Sequence, residues 1–160
     1  MKIDKEQRIR KAEQLFVQGY NCSQAVVAAF ADIYGFTPEQ ALRLSAGMGG
    51  GMGRLRMTCG AVSAMAILAG MDCGSTDATD REGKSRNYKV VQQLCEKFKA
   101  EHGSLVCAQL LNLRKGAPLS YEASERTAEY YKKRPCAAKV ESAARLFAQY
   151  LADKEGDHNH

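Results

Sequence analysis

Between residues 46 and 57 the chain reads AGMGGGMGRLRM, with glycines at 47, 49, 50, 51 and 53. Each glycine weakens a helix or strand interior by about 0.5–1 kcal/mol relative to alanine, and each opens positive-φ conformations closed to most other residues. No regular element can run through such a segment. It reads as a loop that divides the chain, with a backbone able to approach a ligand or a neighbouring side chain closely.

On both sides of this loop the apolar residues recur at helical spacing. Upstream, Ile9, Ala12, Leu15 and Phe16 mark a helix from Asp4 to Val17, with Gly19 as its stop. Asn21 is placed to cap a second helix that Gly35 ends, with Cys22, Val26, Ala29 and Ile33 along one face. Thr37 and Pro38 open a third, running to about Ala46.

Downstream, Thr58 to Ala69 is apolar nearly all round and is predicted to lie buried, ending at Gly70. Past a link containing Cys73 and Gly74, a longer helix is predicted from Thr79 to His102, its inner stripe carrying Val90, Val91, Leu94, Cys95 and Phe98. A short helix holds Cys107, Leu110 and Leu111, and another is predicted from Ser120 to Tyr131. The last follows Pro135, with Cys136, Val140, Ala143, Phe147 and Leu151 on one face, and residues 152–160 read as a frayed tail. No alternating β-pattern and no internal repeat competes. The expected fold is all-α, a single domain over residues 1–160 with about six to seven helices and a buried central helix after the glycine loop.

At 160 residues, 45% hydrophobic and 26% charged, the chain can bury a core without disulfides. It has no apolar run of the roughly 18 residues a membrane span needs, and the opening MKIDKEQRIRKAEQ lacks a signal-peptide core. A soluble, cytoplasmic protein without membrane insertion is expected. The net charge of +5 is spread along the chain, with small clusters at Lys5 to Lys11 and at Lys132, Lys133 and Arg134. No basic run is interleaved with aromatics, so these read as solvated faces and no nucleic-acid partner is expected. A homodimer is compatible with the sequence.

In a reducing compartment, six cysteines are not expected to form a disulfide scaffold, which leaves catalysis, redox cycling, metal binding or inert burial. Cys22, Cys59, Cys107 and Cys136 each fall in or near the first turn of an expected helix. Backbone N–H groups and the positive helix end there favour a thiolate, lowering a thiol pKa from about 8.5, and would equally support thiolates bound to a metal. The spacings contain no CxxC hook, and free cysteine is also among the most buried residue types. Cys95 sits in an apolar stripe as a core residue, and Cys73 in a polar link as a bystander or resolving thiol.

The N–H groups from Gly49 to Gly53, with Arg54 and Arg56 behind them, form either a cradle for an anion or thiolate or a plain connector. Gly49, Gly50, Gly51 and Gly60 are the candidate binding backbone. The loop matches neither a Walker nor a dinucleotide-binding pattern. His102, His158 and His160 make no metal-ligand spacing.

The order NCSQAV, glycine-rich loop, CGAVSA, GSLVCAQLL and RPCAAKV resembles the redox-active family named for its C, GCAxxG, C, C pattern, over about Tyr20 to Leu151. The resemblance assigns the four characteristic cysteines to Cys22, Cys59, Cys107 and Cys136, with Gly60 and Ala61 following Cys59. The sequence departs from the pattern at Ala64, where the motif closes with glycine.

Three functions follow as expectations. The leading one is thiol redox chemistry of a thiol–disulfide oxidoreductase-like kind with an unidentified redox partner and no cofactor. In it Cys59 attacks, Cys22 resolves, and Cys107 and Cys136 form a second pair or relay. The second has the four thiolates holding an iron–sulfur cluster or zinc. The third is a helical interaction module with inert buried cysteines.

Overall fold

The computed structural model describes residues 2–158. Among them are eight α-helices and no β-strand, so the fold is all-α. They are α1 (Lys5–Val17), α2 (Cys22–Phe30), α3 (Pro38–Ser45), α4 (Gly60–Cys73), α5 (Arg81–His102), α6 (Cys107–Leu110), α7 (Ala128–Lys133) and α8 (Cys136–His158).

The starts of the helices are chemically specified. Asp4 caps α1 through Gln7 N–H, Asp80 caps α5 through Gly83 N–H, and α2 and α3 carry reciprocal capping boxes, Asn21 with Gln24 and Thr37 with Gln40. α2 passes into a 3-10 turn over Ala31–Tyr34, shorter as an α-helix than expected, and Gly35 after that turn and Gly103 after α5 take the left-handed conformation at φ 80° and 86°.

α2 is the centre of the packing, touching α1, α3, α4 and α8. Its residues from Ala25 to Phe30 are all buried, so it is enclosed all round rather than along the single face expected from Cys22, Val26, Ala29 and Ile33. The small side chains of AVVAAF explain this, because alanine lets neighbouring helices approach on every side. Phe30 meets Phe147 of α8 edge to face at 5.0 Å, which locks the two central helices together. α4 is buried as expected through Ala61, Val62, Ala64, Met65, Leu68 and Ala69.

Several boundaries differ from expectation. α4 runs through Gly70 to Cys73, since packing against α2 and α5 outweighs one glycine. The helix expected from Ser120 to Tyr131 shrinks to α7, which Thr127 caps through Tyr130 N–H. Residues ahead of it stay irregular, and Arg126 there spends its guanidinium on the carbonyls of Phe16 and Tyr20. Residues 152–158 are not a frayed tail but continue α8. Lys154 pairs with Asp72 at 2.8 Å and Glu155 accepts the Ile3 N–H at 3.0 Å, which fastens that end to α4 and the N-terminus.

Candidate functional site

The site is assembled from helix starts. Cys22, Cys107 and Cys136 are the first residues of α2, α6 and α8, and Cys59 is the cap residue of α4. All four line one cavity of about 60 Å³. Asn21, whose side chain accepts Gln24 N–H and donates to the Ala46 carbonyl, fixes the start of α2 and with it Cys22.

Cys59 and Cys107 are held across a short antiparallel backbone bridge between Thr58 and Val106. Cys59 N–H donates to Leu105 O at 2.8 Å, and Cys107 N–H donates to Met57 O at 2.6 Å. Because side chains alternate along an extended chain, Cys59 and Cys107, each one residue from the bridged pair, emerge on one face. Sequence reading missed this bridge; the signal was the β-branched Thr58 and Val106, each directly before a cysteine.

The glycine segment is an ordered coil bonded to itself. Gly53 N–H reaches Gly47 O at 2.8 Å, Arg56 N–H reaches Gly50 O at 3.1 Å, and Met57 N–H reaches Gly51 O at 2.9 Å. From Gly50 to Arg54 every φ is positive, Met52 at 69° and Arg54 at 65° included. For residues with a side chain this conformation costs about 1–2 kcal/mol each, and the dense network compensates it.

The tightness of the coil places backbone against sulfur. A β-carbon on Gly60 would sit 2.5 Å from Cys22 Sγ, and one on Gly51 would sit 2.7 Å from Cys107 Cβ. One on Gly49 would strike the Asn21 side chain at 2.4 Å. Gly49, Gly51 and Gly60 are therefore places where only hydrogen fits, and the Gly50 N–H favours the ionised form of Cys22.

The acidity of the four thiols is not uniform. Cys22 is pulled down to about 6, first by the neighbouring Cys59 thiol acting as donor, with burial opposing and the N–H groups of Gly50, Ser23 and Cys22 itself assisting. Cys59 moves up, because its proton is held by Cys22 and because it is buried, despite N–H groups of Ala61 and Val62 directed at it. The two thiols share one proton, and the backbone N–H groups around Cys22 favour the ionised form there, whereas the expectation placed the attacking thiolate at Cys59. Burial raises Cys107, whose sulfur Arg56 Nη1 approaches at 3.8 Å. Burial also pushes Cys136 up to about 11, with Cys22 and Cys107 adding to the rise.

Arg56, Arg126, Tyr130, Arg134 and Lys139 also line the cavity, and no Asp or Glu does. Of these, nothing in the local sequence marks Arg126, Tyr130 or Lys139, and Arg134, expected on a solvated face with Lys132 and Lys133, instead faces the cavity. The usable signal was Arg134 two residues ahead of Cys136. Cys73 lies apart from the cavity at the end of α4, donating to Ala69 O and receiving Asn87 Nδ2 at 3.4 Å. Cys95 is partly buried against the core on α5. Ala64, the departure from the family pattern, is fully buried and absent from the cavity wall. His102 Nε2 meets Ser142 Oγ at 2.8 Å, and His160 lies outside the described residues.

Among the described residues, no three His, Cys, Asp or Glu side chains are grouped as ligands of one ion. No helix among those residues is long and apolar enough to cross a membrane.

A model of the family described as "Putative redox-active protein (C_GCAxxG_C_C)" matches residues 20–150. The chain belongs to this family, and the matched span contains all four cavity cysteines. No curated protein and no solved structure matches it.

Proposed function

We propose that the chain is a thiol–disulfide redox protein in which Cys22 is the attacking thiolate and Cys59 the resolving thiol. The observation that carries this reading is that a partly exposed Cys22 and a buried Cys59 open on one cavity, close enough for their thiols to share a proton in the direction that favours a Cys22 thiolate. The family's description as redox-active supports it.

In the first half-reaction the Cys22 thiolate attacks one sulfur of a substrate disulfide, and the other sulfur leaves with the bonding electron pair. In the second, Cys59 gives its proton to a departing thiolate and attacks Cys22 Sγ, releasing the remaining half of the substrate. Two protein thiols end as one disulfide and the substrate as two thiols. The electrons travel on sulfur, so this reading needs no cofactor. It fits a reducing compartment such as the cytoplasm, where a separate thiol partner would reduce the Cys22–Cys59 disulfide back to the two thiols and itself end as a disulfide.

Limited oxidation of the reduced chain followed by peptide mapping tests it. The expected result is loss of two titratable thiols and a peptide linked through Cys22 and Cys59, with the helix signal kept. A first disulfide that excludes Cys22, or one bound iron cluster or zinc per chain lost together with folding in Cys59→Ser, would overturn it.

A further inference from the structure

Immediately outside the thiol cavity lies a groove of about 390 Å³, and both are walled by Asn21, Gly50, Arg56, Arg126, Tyr130 and Arg134. Arg54 joins Arg56, Arg126 and Arg134 there, and no Asp or Glu lines the groove. All four arginines are half-buried. Among the described residues none of them pairs with a carboxylate, whereas Arg8, Arg43, Arg145 and Lys154 all do.

Their internal contacts are neutral. Arg54 Nη2 reaches Ser124 Oγ at 3.3 Å, Arg126 Nη2 donates to Tyr20 O at 3.1 Å, and the Arg134 guanidinium lies 5.3 Å from the Tyr130 ring centre. Gathering half-desolvated like charges is unfavourable unless an anion enters among them. Burial, then the charges of Arg56 and Arg134, already disfavour the charged form of Arg54. A guanidinium fork matches a carboxylate in a planar, bidentate way, and a groove of this volume suits a molecule of metabolite size.

We propose that the arginine groove binds the carboxylates of a small anionic disulfide, holding its sulfur–sulfur bond at the mouth of the cavity toward Cys22. This rests on the exchange reaction above and names its substrate class. Cys22 forms the mixed disulfide with one half of the substrate, the other half leaves as a thiolate, and Cys59 then releases the bound half as a thiol.

A matched series of aliphatic disulfides separates charge from chemistry: dithiodipropionate, hydroxyethyl disulfide and cystamine, carrying two negative, no and two positive charges. Each is given to the reduced full-length chain, and its rate is divided by its rate with a free small thiol. The expected order is anionic over neutral over cationic, at least about tenfold between the ends, narrowing as ionic strength rises. Arg54→Gln combined with Arg134→Gln should collapse the order, while Arg54→Lys combined with Arg134→Lys should keep part of it.

A second measurement is independent of the thiol reaction. Thiodipropionate, which has the carboxylates but no disulfide, should bind the Cys22→Ser chain in calorimetry, and the double glutamine change should abolish that binding. Equal normalised rates across the series, or thiodipropionate binding untouched by the arginine changes, would overturn the groove assignment. Failure of all three disulfides to react at Cys22, with thiodipropionate still bound, would overturn the exchange reaction and leave the anion site standing without its disulfide substrate.

Discussion

Cys22 and Cys136 occupy the same formal position, the first residue of an α-helix, and line the same cavity, yet their thiols move in opposite directions. α8, which begins with Cys136, spans 23 residues, against 9 for α2. If helix length and dipole decided thiol acidity, Cys136 would be the more acidic. What differs is the immediate donor set: Cys22 has the Cys59 thiol and Gly50 N–H aimed at it, while Cys136 has only distant arginines against its burial. A helix start is thus a permissive place for a thiolate, and close hydrogen-bond donors determine whether one forms.

The largest expected effect comes from deleting the acidic member. At pH 5.5 a thiol with a pKa near 6 is ionised more than about a hundredfold further than one at the ordinary 8.5, and its lower intrinsic nucleophilicity takes back about tenfold. Cys22→Ser should therefore slow iodoacetamide uptake at that pH by about tenfold, read as total adduct by mass spectrometry. Cys136→Ser should leave it unchanged, and a comparable loss in both variants would erase the contrast.

The next effect sharpens the cause. Cys59→Ala removes the principal donor, so the midpoint of Cys22 ionisation should rise by about one pH unit or more, followed by thiolate absorbance in the ultraviolet. The sign follows from which form is bonded: Cys59 stabilises the ionised Cys22, so its loss moves the midpoint toward the ordinary thiol value. The same variant should accumulate the mixed disulfide, because the thiol assigned to resolve it is gone and the remaining cavity thiols, Cys107 and Cys136, are held protonated by burial.

Gly60→Ala probes packing at the same sulfur. Its β-carbon would lie 2.5 Å from Cys22 Sγ and 2.9 Å from Met48 O, so sulfur or coil must move. A loss of about 1–3 kcal/mol in denaturant unfolding is expected, with the Cys22 midpoint displaced. Gly70→Ala, whose added carbon meets nothing within 4 Å, should be neutral or slightly stabilising.

The smallest effect belongs to the less acidic side of the cavity. Arg56→Gln withdraws the charge near Cys107 Sγ, and the Cys107 midpoint should rise further by less than about one unit, since burial is the larger cause. Alkylation of Cys107 as a function of pH would show it.

The contrast between Cys22 and Cys136 also marks where sequence reading stops. The helical pattern, the caps at Asn21 and Thr37, the stops at Gly35 and Gly103 and the place of four cysteines at helix starts were legible because they depend on local spacing and on residue types with strong local preferences. The order of acidity was not, because it depends on Gly50 reaching back to Cys22 across a left-handed coil. Nor was the arginine groove, since Arg54 and Arg126 meet only through the fold. The continuation of α8 to His158 escaped for the same reason: the Asp72 that holds Lys154 is 82 positions away in sequence.

The most direct measurement is a pH series of iodoacetamide labelling on the reduced native chain, resolved cysteine by cysteine by mass spectrometry. Cys22 should label with a midpoint near pH 6, ahead of all other cysteines, while Cys136 stays unlabelled until the pH approaches 11. A Cys22 midpoint at the ordinary thiol value, or labelling of Cys59 or Cys136 before Cys22, would contradict the assignment of Cys22 as the thiolate of this site.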